Sequence, residues 1–85
     1  YVNRGIIRAR LGDFAGAHAD YDRALRLDPN EPEAYLNKGA LVLKADQDWR
    51  RARQLFDLAI ARQTRRPEIA YYARGVASEL GGDLS

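Results

Sequence analysis

A tyrosine stands four residues before a glycine three times: Tyr1 and Gly5, Tyr35 and Gly39, Tyr71 and Gly75. The first interval is 34 residues and the second is 36. A period of this size is the signature of stacked helical hairpins. One such hairpin cannot bury its apolar face alone, so neighbours must stack on it. Most of the chain therefore specifies a scaffold, and function is to be sought on the surfaces that scaffold displays.

The 85 residues suffice for one domain with a modest core. There is no cysteine, which excludes a disulfide framework and thiol chemistry. The single histidine, His18, leaves little material for a metal site, and no cofactor is expected. No apolar run approaches the roughly 18 residues of a membrane span, so direct membrane insertion is not expected. A net charge of +2 is too small to imply a nucleic-acid partner. The chain starts inside a repeat, which is the expectation for a piece of a longer repeat protein. Localisation is not readable, and cytoplasm is the default expectation.

Turn signals divide the chain into helices. Tyr1 to Leu11 reads as the first, interrupted at Gly12-Asp13, where Asp13 caps a second helix from Phe14. Phe14, Ala17, Tyr21, Ala24, Leu25 and Leu27 mostly share one stripe of that helix. Asp28-Pro29-Asn30 ends it, because proline removes a donor and clashes with the preceding turn. Glu31-Pro32-Glu33 opens a third helix, with proline tolerated in its first turn, that runs to about Ala45. Asp48 caps a fourth, which starts at Trp49 and carries Ala52, Leu55, Phe56, Ala59 and Ile60. A fifth covers roughly Glu68 to Leu80. Gly81-Gly82-Asp83 reads as the turn before a sixth helix, of which Leu84-Ser85 remain. Short turns between these helices favour antiparallel neighbours.

Gly5, Gly39 and Gly75 each sit within a helix, where glycine costs ~1 kcal/mol relative to alanine. Accepting that cost three times implies close helix approach. Ala17 matches Ala52 and Ala24 matches Ala59, small residues that let helices touch while Tyr21 and Phe56 fill the remaining volume. The tyrosines add apolar area and a hydroxyl that can reach water or a carbonyl.

These residues, with the Gly12-Asp13-Phe14 turn and the Asp28-Pro29-Asn30 ending, resemble the tetratricopeptide repeat. The resemblance covers the whole chain. It implies an all-α fold of about five helices, antiparallel hairpins stacked as a right-handed solenoid. It divides 1–85, read as one domain, into a first repeat at 1–31, a second at 32–66 and a partial third at 67–85. The second repeat departs at Asp46-Gln47-Asp48-Trp49, which adds a residue in place of glycine. A further residue is added between Arg62 and Pro67. Both insertions are expected to alter the local superhelical twist.

The resemblance further implies a concave face lined by the first helix of each repeat. Matched residue by residue, that face displays Val2, Asn3, Ile6, Ala9 and Arg10 from the first repeat. The second contributes Glu33, Leu36, Asn37, Ala40, Leu43 and Lys44. Ile69, Tyr72, Ala73, Val76 and Glu79 come from the third. Val2, Asn3, Ile6, Leu36, Asn37, Ala40, Leu43, Tyr72 and Val76 form the candidate protein-binding groove. Its apolar members suit an amphipathic helix or an extended peptide. Chaperone-binding relatives hold a terminal carboxylate in this groove with lysine, asparagine and arginine. Here Asn37 matches one such place, but Val2, Ile6, Ile69 and Ala73 occupy the others, so a chaperone tail is not the expected ligand.

Two further features compete for a role. Arg50, Arg51, Arg53, Arg62, Arg65 and Arg66 cluster in the second repeat, but Asp46, Asp48, Asp57 and Glu68 lie among them. A solvated face with local ion pairs is the simpler reading. No aromatic-basic platform for nucleic acid accompanies them. His18 stands four residues before Asp22, close enough for a local hydrogen bond, with no nucleophile beside it. The expected function is a non-enzymatic scaffold that binds a protein or peptide. The alternatives are a homo-oligomerisation module and an accessory domain of a larger enzyme.

Overall fold

Two aspartates start the second helix of each hairpin in the same way. The Asp13 carboxylate accepts a hydrogen bond from the Gly16 amide at 3.0 Å, and that of Asp48 accepts one from the Arg51 amide at 3.2 Å. Each satisfies one of the donors a helix start leaves unpaired. In the computed structural model, which describes residues 1–81, these caps organise five α-helices. They are α1 (Val2–Arg10), α2 (Phe14–Leu27), α3 (Pro32–Leu41), α4 (Trp49–Ala61) and α5 (Pro67–Leu80). A π-helical turn, Val42–Asp46, continues α3. The expected turn at Gly82-Asp83 and the sixth helix lie outside the described residues.

The helices stack as consecutive hairpins, as the period requires. Helix α1 packs on α2 and α3 on α4, while α3 lies against α2 and α5 against α4. Tyr21 and Phe56 are almost fully buried between the helices of their hairpins. A Cβ placed on Gly5 would lie 2.5 Å from the Tyr21 ring, and one on Gly39 would lie 2.7 Å from the Phe56 ring. The two glycines are therefore sockets for aromatic rings, which is why the helices accept their cost. Tyr21, Ala17 and Leu41 form one core cluster. Phe56, Leu36, Val42, Leu55 and the buried alanines Ala52, Ala59, Ala70 and Ala77 form the other.

The third glycine behaves differently. Nothing lies within 4 Å of a Cβ built on Gly75. The expectation of a third close approach is therefore corrected. Helix α5 buries Ala70 and Ala77 against α4, and Gly75 lies off that face. The motif is placed in register nonetheless, by its charge. Lys38, just before Gly39, forms an ion pair with Asp22 on the preceding helix. Arg74, just before Gly75, does the same with Asp57 at 2.9 Å. Arg4, before Gly5, instead reaches forward to Asp20 within its own hairpin.

Both insertions have a structural solution. The first hairpin turns through Gly12 at φ +84°, a left-handed conformation suited to glycine. The second has no glycine there. The π turn absorbs the extra residue, since such a turn closes over one more residue than an α turn. Gln47 then takes the left-handed position at φ 53°. Gln63, at φ 61°, does so after α4. These are the two non-glycine residues with positive φ among those described. Each carries a steric cost of about 1–2 kcal/mol.

Candidate functional site

Helices α1 and α3 touch each other directly, whereas α5 makes at most marginal contact with α3. The surface shared by α1 and α3 is a trough with two recesses. The first, about 190 Å³, is lined by Ile6, Ala9 and Arg10 of α1, Phe14 and Tyr21 of α2, and Asn37, Ala40, Leu41 and Lys44. Its walls are mainly apolar because α2 supplies an aromatic floor. The second, about 170 Å³, is lined by Val2, Asn3, Ile6, Glu33, Asn37, Arg65 and Arg66. Ile6 and Asn37 belong to both, so the recesses adjoin.

A polar clasp builds the second recess. Thr64 donates its hydroxyl to the Glu33 carboxylate at 2.7 Å, and the Arg65 amide donates to the same oxygen at 2.9 Å. The Arg66 amide donates to the Thr64 hydroxyl at 3.2 Å. Thr64 is buried, so this network fixes the loop between α4 and α5 against the start of α3. It carries Arg65 and Arg66 to the mouth of the trough. One turn further along α3, Asn37 is oriented by donating its side-chain amide to the Glu33 carbonyl at 2.7 Å. Tyr35 turns away and donates to the Pro29 carbonyl at 2.8 Å, the contact its hydroxyl was expected to seek.

The structure brings together five of the nine candidate groove residues: Val2, Asn3, Ile6, Asn37 and Ala40. The other four are placed elsewhere. Leu36 is only 5% exposed and belongs to the Phe56 core, so its expected place on the open surface is corrected. The α3 helix is sandwiched between α2 and α4, which leaves little of it free. Leu43 is half-buried against the same core. Tyr72, at 76% exposed, and Val76 sit on α5 and line neither recess. Among the trough residues not in that set, Phe14 and Leu41 are contributed by packing across helices. Arg65 and Arg66 arrive through the Thr64–Glu33 clasp, which no local pattern signals.

The arginines expected to form one basic surface are divided. Arg62 lies over the Tyr35 ring at 5.3 Å, and Arg65 and Arg66 face the trough. His18 does not pair with Asp22, which is taken by Lys38. Its Nε2 lies 3.3 Å from an Asp46 carboxylate oxygen, outside hydrogen-bond geometry. Behind α1, the Arg4 guanidinium donates to both oxygens of buried Asp20 at 2.7–3.1 Å, and Arg8 approaches to 3.5 Å. The hydrogen bonds from Arg4 hold the Asp20 carboxyl below the usual carboxylate range, against the opposing effect of burial. This pair fixes the hairpin behind the trough. Among the described residues no group of three or more potential metal ligands gathers, and no helix is long and apolar enough to cross a membrane.

Comparison with known proteins identifies the same elements. A family model described as TPR repeat, the tetratricopeptide repeat, matches residues 5–46, about half of the chain. That span runs from the first socket glycine to the end of the π turn and includes the apolar recess. The chain is also similar to a protein described as Protein SGT1 homolog from Oryza sativa subsp. japonica, at 36% identity over 47 residues. The aligned part is 55% of this chain and 13% of that protein. No solved structure matches the chain.

Proposed function

From the premise that the chain belongs to the tetratricopeptide repeat family, we propose that it is a non-enzymatic scaffold that seats a segment of a partner protein in the trough between α1 and α3. The observation that carries this reading is the apolar recess walled by Ile6, Ala9, Phe14 and Ala40 over a floor of the buried Tyr21 and Leu41. The chain spans a small part of its curated relative, so the activity of any whole protein containing it is part of the proposal.

The test is a selection of peptides from a random library on the folded chain. Selected peptides should bind the wild type and be lost on Ala40→Glu, which places a charge in the recess at an exposed position. Binding indifferent to Ala40→Glu and to Ile6→Glu would place the ligand elsewhere and refute this reading. A second reading, self-association, is favoured by the exposed Ile69, Tyr72 and Leu80 on α5. Sedimentation at increasing concentration tests it, because a monomer throughout removes it.

A further inference from the structure

The two ends of the trough carry cations that form no ion pair among the described residues. Arg10 and Lys44 stand at the apolar recess, and Arg65 and Arg66 stand at the polar one. All four are exposed. Among the described residues, none of their side chains enters an ion pair, which is equally true of Arg26, Arg50 and Arg51; their place at the trough is what sets the four apart. The carboxylate at the trough, Glu33, is engaged by two neutral donors, the Thr64 hydroxyl and the Arg65 amide, so it keeps its charge and leaves the polar recess with one net positive charge. The trough is therefore apolar in its middle and positive at both ends.

We propose that the occupant of this trough is an acidic peptide segment: one apolar side chain, flanked on both sides by internal aspartate or glutamate. The proposal rests on the groove reading above and specifies its ligand. Charge complementarity is what selects this partner. A basic segment would meet like charge at both ends, and a neutral one would leave a net positive charge at each. The apolar anchor fits over Ile6 and Ala40, between the two recesses.

The spacing follows from the helix. Val2 to Arg10 spans roughly 12 Å at 1.5 Å per residue. An extended peptide covers that distance in about four residues. The flanking carboxylates are therefore expected about four positions apart, with the anchor between them. Since both carboxylates are side chains, a free C-terminus is not required. This differs from holding a chain end, for which Val2, Ile6, Ile69 and Ala73 offer no charge.

The experiment uses the complete chain and three dye-labelled, C-terminally amidated peptides with one central leucine. They carry glutamate, glutamine or lysine at both flanking positions, and anisotropy measures binding. The glutamate peptide should bind tightest, with affinity falling as salt is added. Removing two charges by Arg65→Gln/Arg66→Gln should weaken it about three- to ten-fold, as expected for partly solvated ion pairs. Arg10→Gln/Lys44→Gln should do the same, while Arg50→Gln/Arg51→Gln should leave binding unchanged. Circular dichroism confirms that each variant is folded. Equal binding of the glutamate and lysine peptides, or indifference to both trough pairs, overturns the acidic ligand. If the glutamine peptide then still binds and is lost on Ala40→Glu, the groove reading stands without it. If no peptide binds in an Ala40-dependent way, both fail.

Discussion

Gly39 and Gly75 occupy the same place in a repeated motif, and the structure predicts opposite responses to one substitution. Changing either to alanine removes a helix-interior glycine, a gain of about 0.8–1 kcal/mol in helix propensity. At Gly75 nothing lies within 4 Å of the new methyl, so that gain should appear as added stability. At Gly39 the methyl would sit 2.7 Å and 2.9 Å from two Phe56 ring atoms and 3.2 Å from the Leu55 Cβ. Phe56 is fully buried in the core cluster, so its ring can yield only by displacing other core side chains. Overpacking of this kind costs typically about 1–3 kcal/mol. The propensity gain is common to both variants and cancels in their difference, so the difference isolates the cost of filling the socket. Urea denaturation followed at the helical circular dichroism band measures it. Gly75→Ala should be more stable than Gly39→Ala by about 1–3 kcal/mol. In a domain of this size that amounts to at least several degrees in Tm. Equal stabilities, or a less stable Gly75→Ala, would refute the assignment of one glycine as a socket and the other as an open position.

Gln47→Gly should raise stability by about 0.5–1 kcal/mol in the same assay, because relief of the left-handed strain exceeds the added chain entropy. Leu36→Ala should cost about 2–5 kcal/mol, as for a core leucine, and Ala40→Glu should leave the unfolding midpoint nearly unchanged. Their reversal would return Leu36 to the surface. Asp20 links stability to pH. Its carboxyl is held below the usual range by Arg4, so it stabilises the fold above about pH 4, the ordinary carboxylate value, and that contribution is lost as pH falls through its lowered value. The stability gap between wild type and Asp20→Asn should therefore shrink on acidification, as read by urea midpoints at several pH values. A gap that stays constant down to strongly acidic pH would show that Asp20 does not titrate with the fold.

Much of this architecture is determined locally, and those parts were legible. Asp13, Asp48 and Pro32 mark helix starts because a cap or a fixed φ acts on the nearest few residues. The aromatic–alanine pattern of α2 and α4 reads as core because its helical spacing places Ala17 with Tyr21 and Ala52 with Phe56 on one buried face. The period identifies stacked hairpins, since a repeated turn pattern and repeated small residues require the same packing each time. The turn at Asp46-Gln47-Asp48 was recognisable as longer, but not as a π turn with a left-handed glutamine, because several backbone paths absorb one extra residue.

What the tertiary structure decided is which copies of a pattern do the same work. Gly39 and Gly75 are alike in sequence, but a socket exists only where a ring from another helix fills it. Leu36 and Ala40 both lie on the first helix of a repeat, but α4 covers one and leaves the other open. The acidic-peptide trough depends on Arg65 and Arg66, some sixty positions from the α1 residues they face. They are brought there by a hydrogen-bonded clasp between Thr64 and Glu33. Helix periodicity is a property of neighbouring residues and is written along the chain. Occupancy of a socket, cover over a leucine and the sign of charge beside a groove are properties of distant residues, and only their packing sets them.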